Sequence, residues 1–304
     1  MDRSLTYHHH LESLKMKVAS RVALIRKLAG TTWGADAATL RITVLALVFS
    51  TAEYCAPVWC RSSHTHMLNS ELNRAMQIIT GCLKNTPTPM LYVLANVAPP
   101  PIRRDALVLK SAWKALADPL SLLHDIIATP AKIYRELQPP TRKSARLNLA
   151  PVLVVEQRLS SRKPYQRAAQ TLLTSLGEAC PVSANQRKTM ADIFVLDSWK
   201  QSWRENNAWR EYFPTPNLDP LKGTMSRTAW SRFNRLLSGR PRLAADMHKY
   251  GIATSPLCDC GAPLQTPEHI IESCPRRFLE GGLPRLVSLD DDVIVWLGGL
   301  NVDV

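Results

Sequence analysis

Apolar residues recur at helical spacing through the first third of the chain. Between residues 9 and 29 they fall at steps of three and four, at Leu11, Leu14, Val18, Val22, Ile25 and Leu28. This spacing predicts an amphipathic helix with Gly30 as its C-cap. Lysine and arginine fill the opposite face, which is either solvated or in contact with phosphate. Three histidines at positions 8–10 are interpreted as an exposed polar end rather than as metal ligands.

A second helix is expected over residues 37–54, with Asp36 as its N-cap. Its sequence includes ATLRITVLALVFSTA, which is apolar on all sides and typical of a helix in the centre of a core. Apolar stripes predict further helices at 65–83 and from Pro101 to about residue 117, separated by proline-rich joints. Residues 1–118 are therefore predicted to form a helical bundle.

Beyond residue 118 the composition changes. Residues 119–164 are rich in proline, arginine and lysine, which predicts a basic linker. Helical patterns return at 165–178, 186–212 and 227–237, and again near the C-terminus. Trp199 and Trp203, four residues apart, form either a core stripe or a base-stacking pair. We predict an all-α protein in which the bundle and linker are followed by a smaller helical lobe over residues 165–304.

Four metal-binding side chains occur in one short polar segment, CDCGAPLQTPEHIIESCP, at residues 258–275. They are Cys258, Cys260, His269 and Cys274. Three thiolates and one imidazole are a ligand set of closed structural zinc sites, and metal binding would supply folding free energy that so few apolar residues cannot. Thr266 is the expected N-cap of a short helix here. The alternative is a group of free or buried thiols beside a surface histidine.

Charge and composition narrow the class of partner. The net charge is +13 and 45% of residues are hydrophobic, so the chain can bury a core and still favour a polyanion. Nucleic acid is the first expectation and an anionic membrane surface the second. The longest uncharged apolar run, residues 42–52, is too short to span a bilayer, and the N-terminus has no apolar signal segment. Seven cysteines without a framework spacing suit a reducing compartment, so we expect a soluble intracellular protein.

The strongest candidate for a nucleic-acid surface lies just before the metal segment. Residues 222–250 are strongly basic, with aromatic side chains interleaved, and Ser226 is the expected cap of a helix at 227–237. The predicted contact residues are Arg227, Trp230, Arg232, Arg235, Arg240, Arg242, Lys249 and Tyr250. The alternative is an ordinary solubilising face.

Two parts of the sequence resemble one family. Residues 25–41, IRKLAGTTWGADAATLR, and residues 50–106, from STAEYCAPVWC to IRRDA, are similar to the region after the polymerase palm in jockey-group non-LTR retrotransposon reverse transcriptases. Residues 226–304 resemble the zinc-knuckle-like C-terminal module of the same proteins. The resemblance implies thumb-like helices followed by a nucleic-acid-contacting tail, which would help to place template RNA or target DNA.

The catalytic parts of that family have no counterpart here. Its endonuclease, fingers and palm, with an aromatic-x-Asp-Asp motif, are absent from this sequence. The adjacent aspartates at 290–292 follow the metal segment and are interpreted as a helix start or an acidic surface. Without a carboxylate pair to hold two magnesium ions, nucleotidyl transfer has no mechanism in this chain, so we expect no enzyme activity.

The expected function is therefore that of a nucleic-acid-binding C-terminal fragment of a retrotransposon RNA-directed DNA polymerase, with structural zinc. Two alternatives remain at this stage. One is a helical protein–protein interaction scaffold, which packs on the missing polymerase domains or on another chain. The other is an inactive relic of the retroelement. RNA or DNA preference and base specificity are not determined by the sequence.

Overall fold

A computed structural model describes residues 6–121, 123–128, 163–176, 181, 183–205, 215–216 and 225–302. Within these residues the secondary structure is helical, with a single isolated β-bridge between Ala29 and Gly34 and no strand. The predicted all-α class is confirmed. Most of the predicted basic linker, 119–164, lies outside the described residues, and so does the end of the helix predicted at 186–212.

The helices are numbered in chain order. They are α1 His8–Arg26, α2 Ala37–Val44, α3 Ala56–Trp59, α4 His66–Thr80, α5 Thr88–Leu94, α6 Pro100–Leu116, α7 His124–Ala128, α8 Lys163–Leu176, α9 Ala184–Glu205, α10 Arg227–Leu237, α11 Ala244–Lys249, α12 Gly282–Ser288 and α13 Asp291–Gly299. Trp199 and Trp203 of α9 are buried, as expected of a core stripe.

Helix α1 ends at Arg26, before the predicted Gly30 cap. The Gly30 N–H instead donates to the Trp33 carbonyl at 3.0 Å, because the chain folds back on itself through the Ala29–Gly34 bridge. Gly34 has φ +97°, and a Cβ there would lie 2.3 Å from the Leu28 carbonyl oxygen. This reversal therefore requires glycine at position 34.

Helix α2 begins as expected, because the Asp36 carboxylate accepts the Thr39 N–H at 2.8 Å. It passes into a π-helical turn, Leu45–Phe49, and a last turn, Ser50–Ala52. One face, including Leu40, is fully buried, whereas Ile42 is 65% exposed. The helix is therefore not covered on all sides, although its sequence is apolar nearly all round.

The described helices fall into two compact units. The first comprises residues 1–14, 53–68 and 100–198, and the second comprises residues 15–52, 69–99 and 199–304. Each unit combines segments far apart in the sequence, whereas the predicted bundle, linker and lobe are consecutive.

In the first unit, α6 is the central helix and packs against α3, α7 and α8. Small residues of α6 and α8 meet at Ala112 and Ala169, which are both fully buried. At the start of α6, the Arg103 guanidinium donates two hydrogen bonds to Glu53, at 2.6 and 2.8 Å. The small side chains let α6 and α8 pack closely, and the charge pair ties the start of α6 to the turn before α3.

In the second unit, α10 is the most completely buried helix. Nine of its eleven residues are buried, including polar Ser231 and Asn234. Ser226 caps it by accepting the Ala229 N–H at 3.2 Å, as predicted. Helix α10 packs against α13, and α12 packs against the helical turn at residues 269–273. This unit contains both candidate functional sites.

Candidate metal centre and nucleic-acid interface

A tight turn carries the first two cysteines of the metal module, residues 258–275. The Cys258 N–H donates to the Ala262 carbonyl at 2.9 Å, and the Gly261 N–H donates back to the Cys258 carbonyl at 2.9 Å. Gly261 has φ +96°, which glycine adopts without strain. The turn sets Cys258 and Cys260 side by side, so a one-residue gap between the cysteines suffices.

The other two donors lie on a helical turn. Its start is capped as predicted, because the His269 N–H donates to Thr266 Oγ1 at 3.2 Å. From His269 to Ser273 the turn is π-helical, and the Cys274 N–H donates to the His269 carbonyl at 2.7 Å. In an α-helix, residues five apart point about 140° away from each other. The wider π turn returns Cys274 to the side of His269.

The four donors converge, as their place in one short segment predicts. Their ligand atoms all lie within 4.8 Å of one another, and Cys260 Sγ is 3.2 Å from His269 Nε2. Cys258 and Cys274 are buried, whereas the other two are partly exposed. Three sulfur atoms and one imidazole nitrogen match, in number and type, the ligands of tetrahedral structural zinc sites. This Cys3His cluster can hold a metal ion and is consistent with a structural metal.

Outer contacts orient these donors. Ser273 Oγ lies 3.1 Å from His269 Nδ1, so the imidazole presents Nε2 to the thiols. The Gln265 amide lies 3.9 Å from Cys258 Sγ on its nitrogen side and accepts the Ala244 N–H at 2.9 Å on its oxygen side. Gln265 therefore joins the metal module directly to the first turn of α11. Sequence reasoning missed this residue, because only its position in space identifies it.

A charged pair braces the module from the other side. Asp259 lies between Cys258 and Cys260 in the sequence. Nη1 and Nη2 of Arg277 each donate to one of its carboxylate oxygens. This pairing holds the pKa of Asp259 well below its usual range and raises that of Arg277. The Arg277 carbonyl also accepts the Trp296 indole N–H at 2.7 Å, which ties the module to α13.

The thiols differ in proton affinity in the absence of metal. Burial raises the pKa of Cys258, whereas a hydrogen bond from the main chain at Ala262 is the main reason that the pKa of Cys260 is lowered. Of these two thiols, Cys260 therefore ionises at the lower pH. The thiolate is the form of cysteine that binds metal.

The predicted nucleic-acid residues on α10 have partners within the second unit. Arg227 donates to the carbonyls of Gly30, Ile78 and Ile79, and Trp230 donates its indole N–H to Ile79 at 2.9 Å. Burial, followed by repulsion from Arg235, lowers the pKa of Arg227 to about 10. These side chains satisfy carbonyls at the C-terminal end of α4, which would otherwise lack partners.

Arg235 continues this contact. Its Nε donates to the Gly81 carbonyl at 2.8 Å, and Asn234 donates to the Thr80 carbonyl at 2.8 Å. A Cβ at Gly81, where φ is +71°, would lie 2.2 Å from Ser231 Oγ. Only glycine lets α10 approach this closely. Helix α10 therefore closes the end of α4 with a row of polar side chains, which hydrophobic periodicity did not reveal.

Arg232 and Arg235 also line an open polar cavity of about 360 Å³. The threonines at 31, 32 and 228 share its wall. Arg232 is half-buried and donates to the carbonyls of Leu297 and Gly298 at the end of α13, at 2.8 and 3.1 Å. The arginines of α10 thus serve internal contacts and face a pocket, rather than forming an open stripe.

The remaining predicted contact residues are exposed. They are Arg240, Arg242, Lys249 and Tyr250, and Tyr250 is 61% exposed. Lys249 lies 3.6 Å from Asp246 on the same helix, with most of its side chain in solvent. Two exposed residues past the module, Arg276 and Phe278, extend the basic and aromatic character and lie outside the predicted contact set.

The aspartates at 290–292 start a helix, as interpreted from the sequence. Asp290 accepts the Val293 N–H at 2.9 Å and caps α13. Arg285 donates to Asp290 at 3.2 Å and to Asp292 at 2.7 Å. The Val293 N–H, and after it the hydrogen bond and charge of Arg285, lower the pKa of Asp290.

Among the described helices, none is both long and apolar enough to cross a membrane. No protein-family model matches the chain, and no solved structure matches it.

One comparison connects the chain to known proteins. It is 21% identical, over 278 residues, to the retrovirus-related Pol polyprotein from type-1 retrotransposable element R1 of Bradysia coprophila. The match covers 89% of this chain and 23% of that polyprotein, so the chain spans about a quarter of its relative's length. This similarity supports a retroelement-related origin for the chain.

Proposed function

We propose that the chain is the nucleic-acid-binding, non-catalytic C-terminal part of a non-LTR retrotransposon reverse transcriptase of the jockey group. The similarity to a retrotransposon Pol polyprotein supports the origin. The net charge of +13 supports a polyanionic partner. RNA or DNA would be bound mainly through phosphate contacts, inside the cell, in the nucleus or cytoplasm.

Zinc is the metal that we propose for the Cys3His cluster. Four protein donors leave no open position for a substrate or water, as in structural zinc sites. The module's own fold consists of two turns with few buried apolar side chains. Zinc would therefore act as a folding element of the second unit and not as a catalyst.

The interface proposed for nucleic acid comprises the exposed residues that border the module, Arg240, Arg242, Lys249 and Tyr250. The observation that carries this assignment is the Gln265 contact, because it fastens the module to the helix that bears Lys249. Tyr250 would stack on a base, and the cationic side chains would contact phosphates. Arg232 and Arg235 would add charge to a neighbouring cavity, while Arg227 and Trp230 support the structure beneath.

The test is binding of the full chain to single-stranded RNA and to duplex DNA at several salt concentrations, with and without a zinc chelator. The double substitution Arg240→Glu and Arg242→Glu should weaken binding at least tenfold and flatten its dependence on salt, because phosphate contacts release counterions. The matched control is Lys114→Glu with Lys188→Glu, two exposed sites of the first unit that change the net charge equally. Equal losses in both variants would leave only a net-charge effect and refute the interface.

A helical interaction scaffold is the second candidate function. Exposed apolar side chains of the second unit favour it: Met16, Leu24, Leu28, Trp33, Ile42 and Leu47. Sedimentation over a range of concentrations separates the two candidates. Concentration-dependent association without affinity for RNA or DNA would favour the scaffold, whereas neither activity would favour an inactive relic.

A further inference from the structure

A second group of metal-binding side chains lies at the start of α1, far in sequence from the cysteines. The ligand atoms of His8, His9 and Glu12 all lie within 4.8 Å of one another. His9 Nδ1 is 3.8 Å from the Glu12 carboxylate. When nitrogen and oxygen donors bind one zinc ion at 2.0–2.2 Å, the donor atoms lie slightly closer to one another than they do here. Small side-chain rotations would therefore bring the three donors around one ion.

A candidate for the fourth donor, His64, lies beside this group on a different segment of the same unit. A short 3₁₀ turn, Ser63–Thr65, places the His64 ring against that of His8, with the ring centres 4.7 Å apart at an interplanar angle of 85°. The Ser62 hydroxyl donates to the Thr6 carbonyl at 2.5 Å, which ties the chain just before His8 to this turn. The approach of His64 is thus supported by a second contact between the segments.

We propose that His8, His9, Glu12 and His64 form a second site, for a divalent transition-metal ion such as Zn²⁺. Imidazole and carboxylate ligands suit Zn²⁺, Co²⁺ and Ni²⁺. The amino end of α1 carries partial positive charge, which Glu12 offsets as the anionic ligand. The bound ion would join the start of α1 to the turn at residues 63–65. This site is independent of the Cys3His cluster and of nucleic-acid binding.

The alternative to a built site is adventitious binding by three consecutive histidines. That alternative makes His10 equivalent to its neighbours and needs neither Glu12 nor His64. The structure favours the built site over adventitious binding, because the His10 ring packs near Trp59, with the ring centres 6.4 Å apart. The His64 ring instead packs against that of His8, which is one of the three converging donors. His10→Ala is therefore the matched control for each ligand substitution.

The experiment is a titration of the metal-free, reduced full chain with Co²⁺. Calorimetry counts the bound equivalents, and absorbance measured at the same ratios identifies their ligands. Thiolate-to-cobalt charge transfer reports the cysteine cluster, so an added equivalent without that band reports the histidine site. We expect such an equivalent in the parent chain and in His10→Ala. Glu12→Gln and His64→Ala should each weaken it at least about tenfold, since the loss of even outer contacts costs 10–100-fold.

Three results would overturn the proposal. The first is that no Co²⁺ binds without a thiolate-to-cobalt band. The second is that Glu12→Gln and His64→Ala both bind this Co²⁺ as tightly as the parent chain. The third is that His10→Ala loses as much affinity for it as they do. Circular dichroism of each variant establishes that it is folded, and Glu12→Gln changes one atom of an exposed side chain. Failure of the cysteine cluster to bind cobalt would leave this test intact, because the two sites give different spectra.

Discussion

Single arginines decide how the second unit is built. Arg227 would be read from sequence as a surface charge, yet it is 7% exposed and its guanidinium serves three main-chain carbonyls. Arginine suits this position because its planar group carries five donors at fixed angles. Ammonium or apolar replacements cannot reach all three acceptors. By contrast, Arg240 and Arg242, three and five residues beyond the end of α10, are exposed.

Replacing Arg227 by methionine should therefore destabilise the protein. The aliphatic stem is kept, but the Gly30 and Ile78 carbonyls lose the arginine donor and Ile79 keeps only the Trp230 indole, so we expect a loss of about 2–4 kcal/mol. Urea unfolding, followed by the fluorescence of buried tryptophans, measures the change. Arg240→Met is the control, because Arg240 is exposed and such changes cost less than about 0.5 kcal/mol. Equal stability of the two variants would contradict the role assigned to Arg227.

At the scale of elements, the N-caps of the helices are determined by nearby residues in the sequence, whereas the π-helical turns are not. Asp36, Ser226, Thr266 and Asp290 each accept a main-chain N–H three residues onward. A short polar side chain can make this contact from its own backbone, without help from the rest of the fold. The π-helical turns at Leu45–Phe49 and His269–Ser273 do not follow such a local rule. The second one brings Cys274 to the same side as His269, where both can bind one ion.

The cap at Asp36 predicts a pH dependence. Hydrogen bonds from Thr39 lower the pKa of Asp36 below its ordinary 3.8. The charged cap therefore contributes stability above the ordinary pKa and loses it as the pH falls through the lowered one. Asp36→Ala should cost about 0.5–2 kcal/mol at pH 7, and less in acid. Urea unfolding of both proteins between pH 2.5 and 7 measures this difference.

Asparagine at position 36 is the control for this cap. It keeps an acceptor for the Thr39 N–H but carries no titrating charge, so Asp36→Asn should retain most of the stability at pH 7. A difference between the parent chain and Asp36→Ala that stays constant down to the lowest pH would refute the charged cap.

At the scale of the whole molecule, the metal module is joined to the rest of the second unit by few but specific contacts. Gln265 reaches α11, and the Arg277 carbonyl reaches Trp296 of α13. Ile270 and Ile271 supply buried apolar surface. Loss of the ion should therefore loosen the module first and its neighbouring helices second.

Hydrogen exchange measures this order. Adding a zinc chelator should remove amide protection between residues 257 and 279, where the N–H groups of Cys258, Gln265 and Cys274 are bonded in the turns. Protection in α6 of the first unit should not change. The double substitution Cys258→Ser and Cys274→Ser should give the same pattern without chelator. Equal protection with and without chelator would show that the module folds without metal.

Local patterns were enough to predict much of this protein. Helical periodicity and capping residues predicted the all-α class and most helices, because neighbours along the chain determine both. The donors from Cys258 to Cys274 were identifiable for the same reason, since they lie within one short segment. The contact of His64 with His8 was not identifiable, because 56 residues separate them.

Only the tertiary structure decided which charged and apolar faces are covered. Arg227 and Arg235 are buried because the end of α4 offers carbonyls to them, and these acceptors lie about 150 residues earlier in the chain. Ile42 is exposed although its helix is apolar on all sides. Burial depends on what packs against a surface. A linear pattern records the polarity of that surface but not its neighbour.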